Sequence, residues 1–291
     1  MKSFFKNVLS TIVGMVLAVF VVVLLFIGIV SVSMSSLNDD KKVKVKENSI
    51  LKINLAEISV VERTSENPLE GLNFSGDLPK SIELKQVLDN IEKAKTDKNI
   101  KAIYINTPYV SAGLSQIEEI RNKLLEFKQT GKPIISYSEV YNQAAYYLSS
   151  VANKIYLNPE GIVELKGLSA SIMFYKGLLN KLDIDVQIIR HGKFKGAVEP
   201  FILDKMSTAN REQMQLLLNS FNDNIMDSIA NQRGLTLTEV QKHANNLTLE
   251  NAKSCIDYNY VDALLYQDQL EDSLKSLLGV EKLSIVTLSN Y

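Results

Sequence analysis

The sequence predicts an α/β domain with a mostly parallel sheet, preceded by one N-terminal transmembrane helix. Three observations carry this reading. Residues 8–32 are almost wholly apolar, interrupted only by Ser10, Thr11, Gly14, Gly28 and Ser31. Beyond them, short apolar runs alternate with amphipathic stretches of about 10–16 residues, the pattern of strand–helix–strand units. With 46% hydrophobic and 22% charged residues, the rest of the chain can bury a sizeable core. The expected division is a cytoplasmic N-terminus (1–7), a transmembrane anchor (8–33), a polar tether (34–48) and a globular domain (49–291).

The apolar segment of about 25 residues is long enough to cross a bilayer with some tilt. Lys2 and Lys6 precede it, so the positive-inside rule keeps the short N-terminus in the cytoplasm and sends the domain outward. The mixed, basic flank around Asp39 to Lys46 pulls the other way. A cleaved signal peptide is the rival reading, with Ser31-Val32-Ser33 as a small-x-small site. The run exceeds a signal-peptide core, which favours an uncleaved anchor.

The elements follow in order. Residues 50–55 alternate as a strand, and 62–80, with Pro68, Gly71, Gly76 and Pro79, read as a loop. Ser81 is placed to cap a helix with the apolar face Ile82, Val87, Leu88, Ile91 and Ala94. A strand at 102–105 leads through loop 107–113 to a helix carrying Leu114, Ile117, Ile120, Leu124, Leu125 and Phe127. Strand 134–137, a helix over 142–151, strand 154–157 and a turn at 158–161 come next. A helix should hold Phe174, Leu178, Leu179 and Leu182, and the apolar run 184–189 reads as a strand. Ser207 caps a long helix whose packing face is Met214, Leu217, Leu218, Phe221, Ile225, Met226 and Ile229. Thr236 and Glu239 have capping-box spacing. A helix over 252–261 exits into a strand at 261–264. A helix with Leu270, Leu274, Leu277 and Leu278 and a strand over 283–288 complete the chain. A terminus on a strand with no polar tail gives the look of a chain cut short.

Lysine plus arginine is 32 against 33 acidic residues, so no basic field points to nucleic acid. Cys255 is the single cysteine, and the two histidines, His191 and His243, lie in separate regions. No disulfide framework, metal site or cofactor is expected. The stretch that invites chemistry is Arg190 to Phe201, where Lys193 and Lys195 follow the apolar run. A lysine ammonium in a dry site can lose its proton and act as a general base. The competing reading is a solvated lysine in a surface loop.

Phe194-Lys195-Gly196-Ala197-Val198-Glu199-Pro200-Phe201 resembles the aromatic-Lys-Ser-Ala-Val-Glu-Pro-Phe signature of the signal peptide peptidase A (protease IV) family. The stretches Tyr146-Tyr147-Leu148, Ala152 to Leu157, Pro159-Glu160-Gly161 and Tyr175 to Leu179 also fit, as does the single anchor. The corner Asn259-Tyr260-Val261-Asp262 stands where the family has Gly-Leu-Val-Asp. The chain is most similar to the N-terminal half of the long bacterial form. The resemblance implies the ClpP/crotonase-like spiral fold and a serine–lysine dyad that degrades cleaved signal peptides. It also implies a homo-oligomer at the bacterial inner membrane with its domain in the periplasm. Lys195 would be the general base. Lowering a lysine pKa from about 10.4 by roughly three units disfavours the charged form by about 4 kcal/mol. Burial against Phe194, Ala197 and Val198, with repulsion from Lys193, could supply that. Glu199 is expected to turn away from Lys195.

The nucleophile is missing from its usual element. Gln143, in Asn142-Gln143-Ala144-Ala145-Tyr146-Tyr147, stands where the family's serine precedes two glycines. Thr107-Pro108-Tyr109-Val110 replaces the Ser-Pro-Gly-Gly oxyanion turn, and Tyr109 and Val110 lack glycine's backbone freedom. Ser111, Ser136, Ser138, Ser149, Ser150, Ser169 and Ser171 have no glycine context. The resemblance therefore implies half an active site, completed by a serine-bearing C-terminal half or a neighbouring protomer. Its partners would be signal peptides and other apolar peptides, and the membrane. The alternatives are a non-catalytic scaffold of the same fold and an acyl-CoA enzyme of the crotonase type.

Overall fold

The computed structural model describes residues 2–37, 45–63, 80–189, 191–192 and 194–291. The chain divides into two units. The first holds helix α1 (Lys2–Leu37). Its stretch Lys6–Gly28 is long and apolar enough to cross a membrane. The helix runs past the expected anchor boundary at 33, because 34–37 offer no proline or glycine to stop it. Residues 38–44 of the expected tether, and 64–79 of the expected loop, lie outside the described residues.

The second unit is built on parallel strands: β1 (Ser49–Ile53), β2 (Ile58–Val61), β3 (Lys80–Glu83), then helix α2 (Leu84–Thr96) and β4 (Ile100–Ile105). Helix α3 (Leu114–Lys128), β5 (Ile134–Tyr141), α4 (Gln143–Ser149) and β6 (Lys154–Val163) continue the alternation. After α5 (Lys176–Lys181) and α6 (Glu199–Ile202) come α7 (Thr208–Arg233), α8 (Leu237–Asn245) and α9 (Ala252–Asp257). The chain closes with β7 (Ala263–Leu264), α10 (Gln267–Leu278) and β8 (Ser284–Thr287). Six strands form one parallel sheet in the order β7-β6-β5-β4-β1-β8, and β2 pairs with β3 apart from it.

Strand alternation separates two cores. Leu51, Ile53, Ile103 and Ile105 face one side and pack with Val87 and Ile91 of α2, Ile120 and Leu124 of α3, and Met226 and Ile229 of α7. Ile50, Ala102, Tyr104, Ile135 and Tyr137 face the other side, against Leu270 and Leu274 of α10. Each such large side chain contributes about 1.5–3 kcal/mol on burial, so the sheet is the rigid frame on which the loops are set.

Five expectations change. Ile82 belongs to β3, opposite Val60, and the helix begins at Leu84 with Glu83 at its N-cap; pairing with β2 overrides the Ser81 cap. Strand β6 runs through the expected turn at 158–161. Gly161 permits this, because a Cβ there would lie 2.3 Å from the Glu139 carbonyl oxygen on the adjacent strand. The helix expected around residues 174–182 is the short α5, with no buried residue. Residues 184–189 form no strand, since β7 and β8 close the edges of the sheet elsewhere. Helix α7 meets the core only from Ile225 onward, and Leu217 and Phe221 stay 47% and 42% exposed.

Candidate functional site

The corner between β5 and α4 is where a parallel sheet presents chemistry, at the carboxyl end of a central strand. Asn142 sets it. Its side chain accepts from Ala145 N–H at 2.8 Å, and its own N–H donates to the Pro108 carbonyl at 3.0 Å. Gln143 is the first residue of the helix. Its Oε1 accepts from the backbone N–H groups of Lys166 (3.0 Å) and Gly167 (2.8 Å), and its Nε2 donates to the Gly167 carbonyl at 3.3 Å. Gln143 therefore ties the chain after β6 to the corner.

The loop expected to fail as an oxyanion cradle is tied down instead. Thr107 is buried, its Oγ1 donating to the Ile53 carbonyl and accepting from Leu55 N–H. Tyr109 is 54% exposed. Two clefts flank this corner. One of about 450 Å³ is lined by Asn54, Asn106, Tyr137, Glu139 and Gln267 among others. The other, about 310 Å³, is lined by Leu114, Gln143, Ala144, Gly167, Leu168 and Ile225 among others.

All but one of the candidate serines are engaged in structural bonds or sit on the surface. Ser136 Oγ meets the Tyr141 hydroxyl at 2.8 Å, Ser138 Oγ donates to the Val140 carbonyl, and Ser150 Oγ donates to the Tyr147 carbonyl. Ser111 bonds Ser59, Ser149 is buried without a hydrogen-bond partner, and Ser169 and Ser171 are exposed.

The lysine stretch enters a one-turn 3-10 helix over Gly196–Val198, with Lys195 at its N-cap, and continues into α6. Lys195 is exposed, as are Phe194 (52%) and Ala197. The burial expected from its own neighbours is not there; the flanking apolar side chains point to solvent rather than over the amine. Arg190 and Lys193 lie outside the described residues. Glu199, by contrast, is 1% exposed. Its carboxylate accepts from Ser207 N–H (3.0 Å), Ser207 Oγ–H (2.5 Å) and Asn210 Nδ2–H (3.0 Å). Ser207 Oγ in turn accepts from Asn210 N–H as the cap of α7. Gly196 packs on the same amide, where a Cβ would lie 2.5 Å from Asn210 Cγ. The family's serine at that position would collide with an amide pinned by Glu199. Tyr175 N–H donates to the Pro200 carbonyl and its ring stacks on Phe201 at 5.9 Å, closing the loop from its other side. Sequence reading missed Asn210, whose signal is only its spacing of three from Ser207.

Behind the site, Tyr146 is fully buried and donates to the Tyr260 carbonyl at 2.7 Å. Asn259 adopts φ 63°, the left-handed region that favours the family's glycine. Its amide donates to the Arg233 carbonyl, and Arg233 returns bonds to Asn259 and Asp262.

A parallel sheet with covering helices and this strand–helix corner defines a ClpP-like α/β unit. Residues 126–281 match the family described as peptidase family S49, and the chain belongs to that family. Protease 4 of Salmonella typhi is 31% identical over 99% of this chain and 48% of its own length. Protease 4 of Haemophilus influenzae is 33% identical over 60% of this chain and 28% of its own. The chloroplastic serine protease SPPA of Arabidopsis thaliana is 30% identical over 69% of this chain and 30% of its own. The chain thus spans half or less of the length of these relatives.

Proposed function

We propose that this chain is the lysine-bearing half of a membrane-anchored serine peptidase that degrades cleaved signal peptides and other apolar peptides. The observations that carry the reading are the anchoring of Glu199, four residues after Lys195, on Ser207 and Asn210, and the presence of Gln143 rather than a serine at the β5–α4 corner. The serine then comes from outside these residues, from a second half or a neighbouring protomer of a homo-oligomer. Relatives about twice as long support this.

In the reaction, the serine Oγ attacks the scissile carbonyl while Lys195 Nζ takes its proton. The ammonium then protonates the departing amine as the C–N bond breaks. Lys195 Nζ, neutral again, takes a proton from the water that attacks the acyl-enzyme and returns it to the serine Oγ as the ester C–O bond breaks. A neutral amine requires exclusion of water. Exposed Lys195 therefore needs the serine-bearing surface laid over it, which couples assembly to activity. The apolar helix α1 holds the enzyme at the bacterial inner membrane, with the domain on the periplasmic side where spent signal peptides remain.

The test is peptide hydrolysis by the full-length protein. Lys195→Ala should abolish it, and Lys195→Arg should too, because a guanidinium keeps its proton. Full activity in either variant would sink the assignment. The second reading, a non-catalytic scaffold, is favoured by the engagement of Gln143, and it predicts no hydrolysis by the unaltered full-length protein.

A further inference from the structure

The cleft of about 450 Å³ lies where the strand order of the sheet turns back. Strands β4, β5, β6 and β7 extend the sheet on one side of β1, and β8 returns to the other. The covering helices change face as well, α2 and α3 packing on one side and α10 on the other. Open parallel sheets bind ligands outside the carboxyl ends of their strands at such a point. The lining fits that position. Asn54 follows β1, Asn106 follows β4, Ser138 to Val140 lie near the end of β5, and Gln267 begins α10.

The chemistry of this lining is one-sided. It holds two carboxylates, Glu57 and Glu139, and no lysine, arginine or histidine. Asp268, in the first turn of α10, offsets the positive end of that helix. Lys52 lies over the Tyr104 ring at 5.9 Å and is not part of the wall. Both asparagine amides are engaged, Asn54 Nδ2 with Glu57 Oε1 at 2.8 Å and Asn106 Nδ2 with the Tyr137 carbonyl at 3.1 Å. Acceptors remain. Among the described residues, the Glu139 carboxylate and Asn106 Oδ1 accept no hydrogen bond.

Tyr137 gives an independent sign of a ligand. It forms part of the wall and is 1% exposed, yet its hydroxyl has no hydrogen-bond partner; Asn158 approaches without closing one. Tyr104, on the neighbouring β4 and the same face of the sheet, carries a second such hydroxyl. Buried hydroxyls without partners are uncommon. Burial first, with Glu139 and Asp268 adding and Asn158 opposing, holds the Tyr137 pKa above its usual value, so the phenol stays neutral and can accept from a cationic donor. Among the described residues no three His, Cys, Asp or Glu side chains converge as metal ligands. An ammonium or guanidinium on a flexible stem suits the charge and the volume, and exposed Tyr109 adds an aromatic face for it.

We propose that this cleft binds the lysine and arginine side chains of a peptide. The source of that peptide rests on the peptidase reading above: a signal peptide carries a positively charged n-region before its apolar core. The carboxylates then hold the basic end of the substrate while the apolar segment is cut.

The experiment uses the full-length protein in detergent, in a Lys195→Ala background that stops turnover. An N-acetylated pentapeptide amide of alternating alanine and lysine, carrying a neutral fluorophore, is titrated by anisotropy at low salt. Glu57 and Glu139 are both exposed, so changing them to glutamine together leaves the core intact. The Glu57→Gln, Glu139→Gln double variant should bind at least tenfold more weakly, about 1.4 kcal/mol. Tyr137→Phe, which removes only the unpaired hydroxyl, should weaken binding about threefold. The same peptide with its lysines acetylated should bind neither protein. A double variant within twofold of the parent, or equal binding of the acetylated peptide, overturns the proposal. Unlabelled lysine peptide should also slow amide exchange at residues 137–140 of the parent, and unchanged exchange there overturns it even where a variant fails to fold. Hydrolysis that survives Lys195→Ala would sink the reaction scheme and leave this binding result standing. Binding that ignores the two carboxylates would sink this site and leave the scheme standing.

Discussion

Glu199→Gln tests how the lysine loop is held. The carboxylate is buried and accepts three hydrogen bonds from Ser207 and Asn210. A glutamine can keep one oxygen facing Ser207 N–H and Asn210 Nδ2–H. Its amide nitrogen then faces Ser207 Oγ, which already accepts from Asn210 N–H. One charge-assisted bond is lost and two become neutral. Hydrogen bonds to charged groups contribute about 1.5–3 kcal/mol and neutral ones about 1, so losing one and weakening two should cost at least about 2.5 kcal/mol. For a domain of this size, that lowers Tm by at least about 5 °C. Thermal unfolding followed by circular dichroism reads it. Ser207→Ala removes the same bond and the helix cap, about 1–2 kcal/mol. The two substitutions share one network, so the double variant should lose less than the sum by about 1 kcal/mol or more. Peptide hydrolysis by the full-length Glu199→Gln protein should fall about tenfold in kcat as Lys195 loses its position. A Tm drop under about 1 °C, or strict additivity in the cycle, would refute the clamp.

Three further outcomes are expected. Gly161→Ala forces a Cβ against the Glu139 carbonyl and should cost about 1–3 kcal/mol, read by urea unfolding. Asn259→Ala should destabilise more than Asn259→Gly by about 1 kcal/mol, because alanine resists the left-handed backbone there; equal losses would contradict it. His243 packs on Tyr258 and its Nδ1 meets the Tyr260 hydroxyl at 3.1 Å; burial first, with Lys242 adding and Glu239 opposing, holds its pKa below the usual value. The unfolded chain therefore binds the extra proton first, and stability should fall as pH drops through about 6.5 toward the folded value. A His243→Gln variant should show a flatter Tm profile between about pH 7.5 and 5.5.

Much of the frame was legible because local signals and tertiary demand agreed. Strands β1, β4, β5 and β6 are β-branched and apolar at the positions that face the two cores, and Ser207 and Thr236 cap helices as their spacing requires. The failures share one cause. Apolar pattern reports a need for burial without naming what supplies it. Ile82 is satisfied by the separate β2–β3 pair rather than by a helix face. Leu217, Phe221 and residues 184–189 carry core-like composition but meet no core in this chain. The Asn158-Pro159 turn signal acts only locally, where Asn158 Oδ1 accepts from Glu160 N–H inside a strand that continues. At the site, the absence of a serine at Gln143 could be read directly. The bonds that Gln143 makes to Lys166 and Gly167, and the seat of Gly196 on Asn210, join segments 14 to 24 residues apart and follow only from the fold.

The central claim is that Lys195 serves a nucleophile outside residues 1–291. A fluorophosphonate probe, which reacts covalently with an activated serine, tests it most directly when applied to the full-length protein and mapped by peptide mass spectrometry. The account predicts one labelled serine beyond residue 291 or on a partner chain, with labelling lost in Lys195→Ala. Labelling of Ser111, Ser136, Ser138, Ser149, Ser150, Ser169 or Ser171, or labelling that survives loss of Lys195, would contradict it.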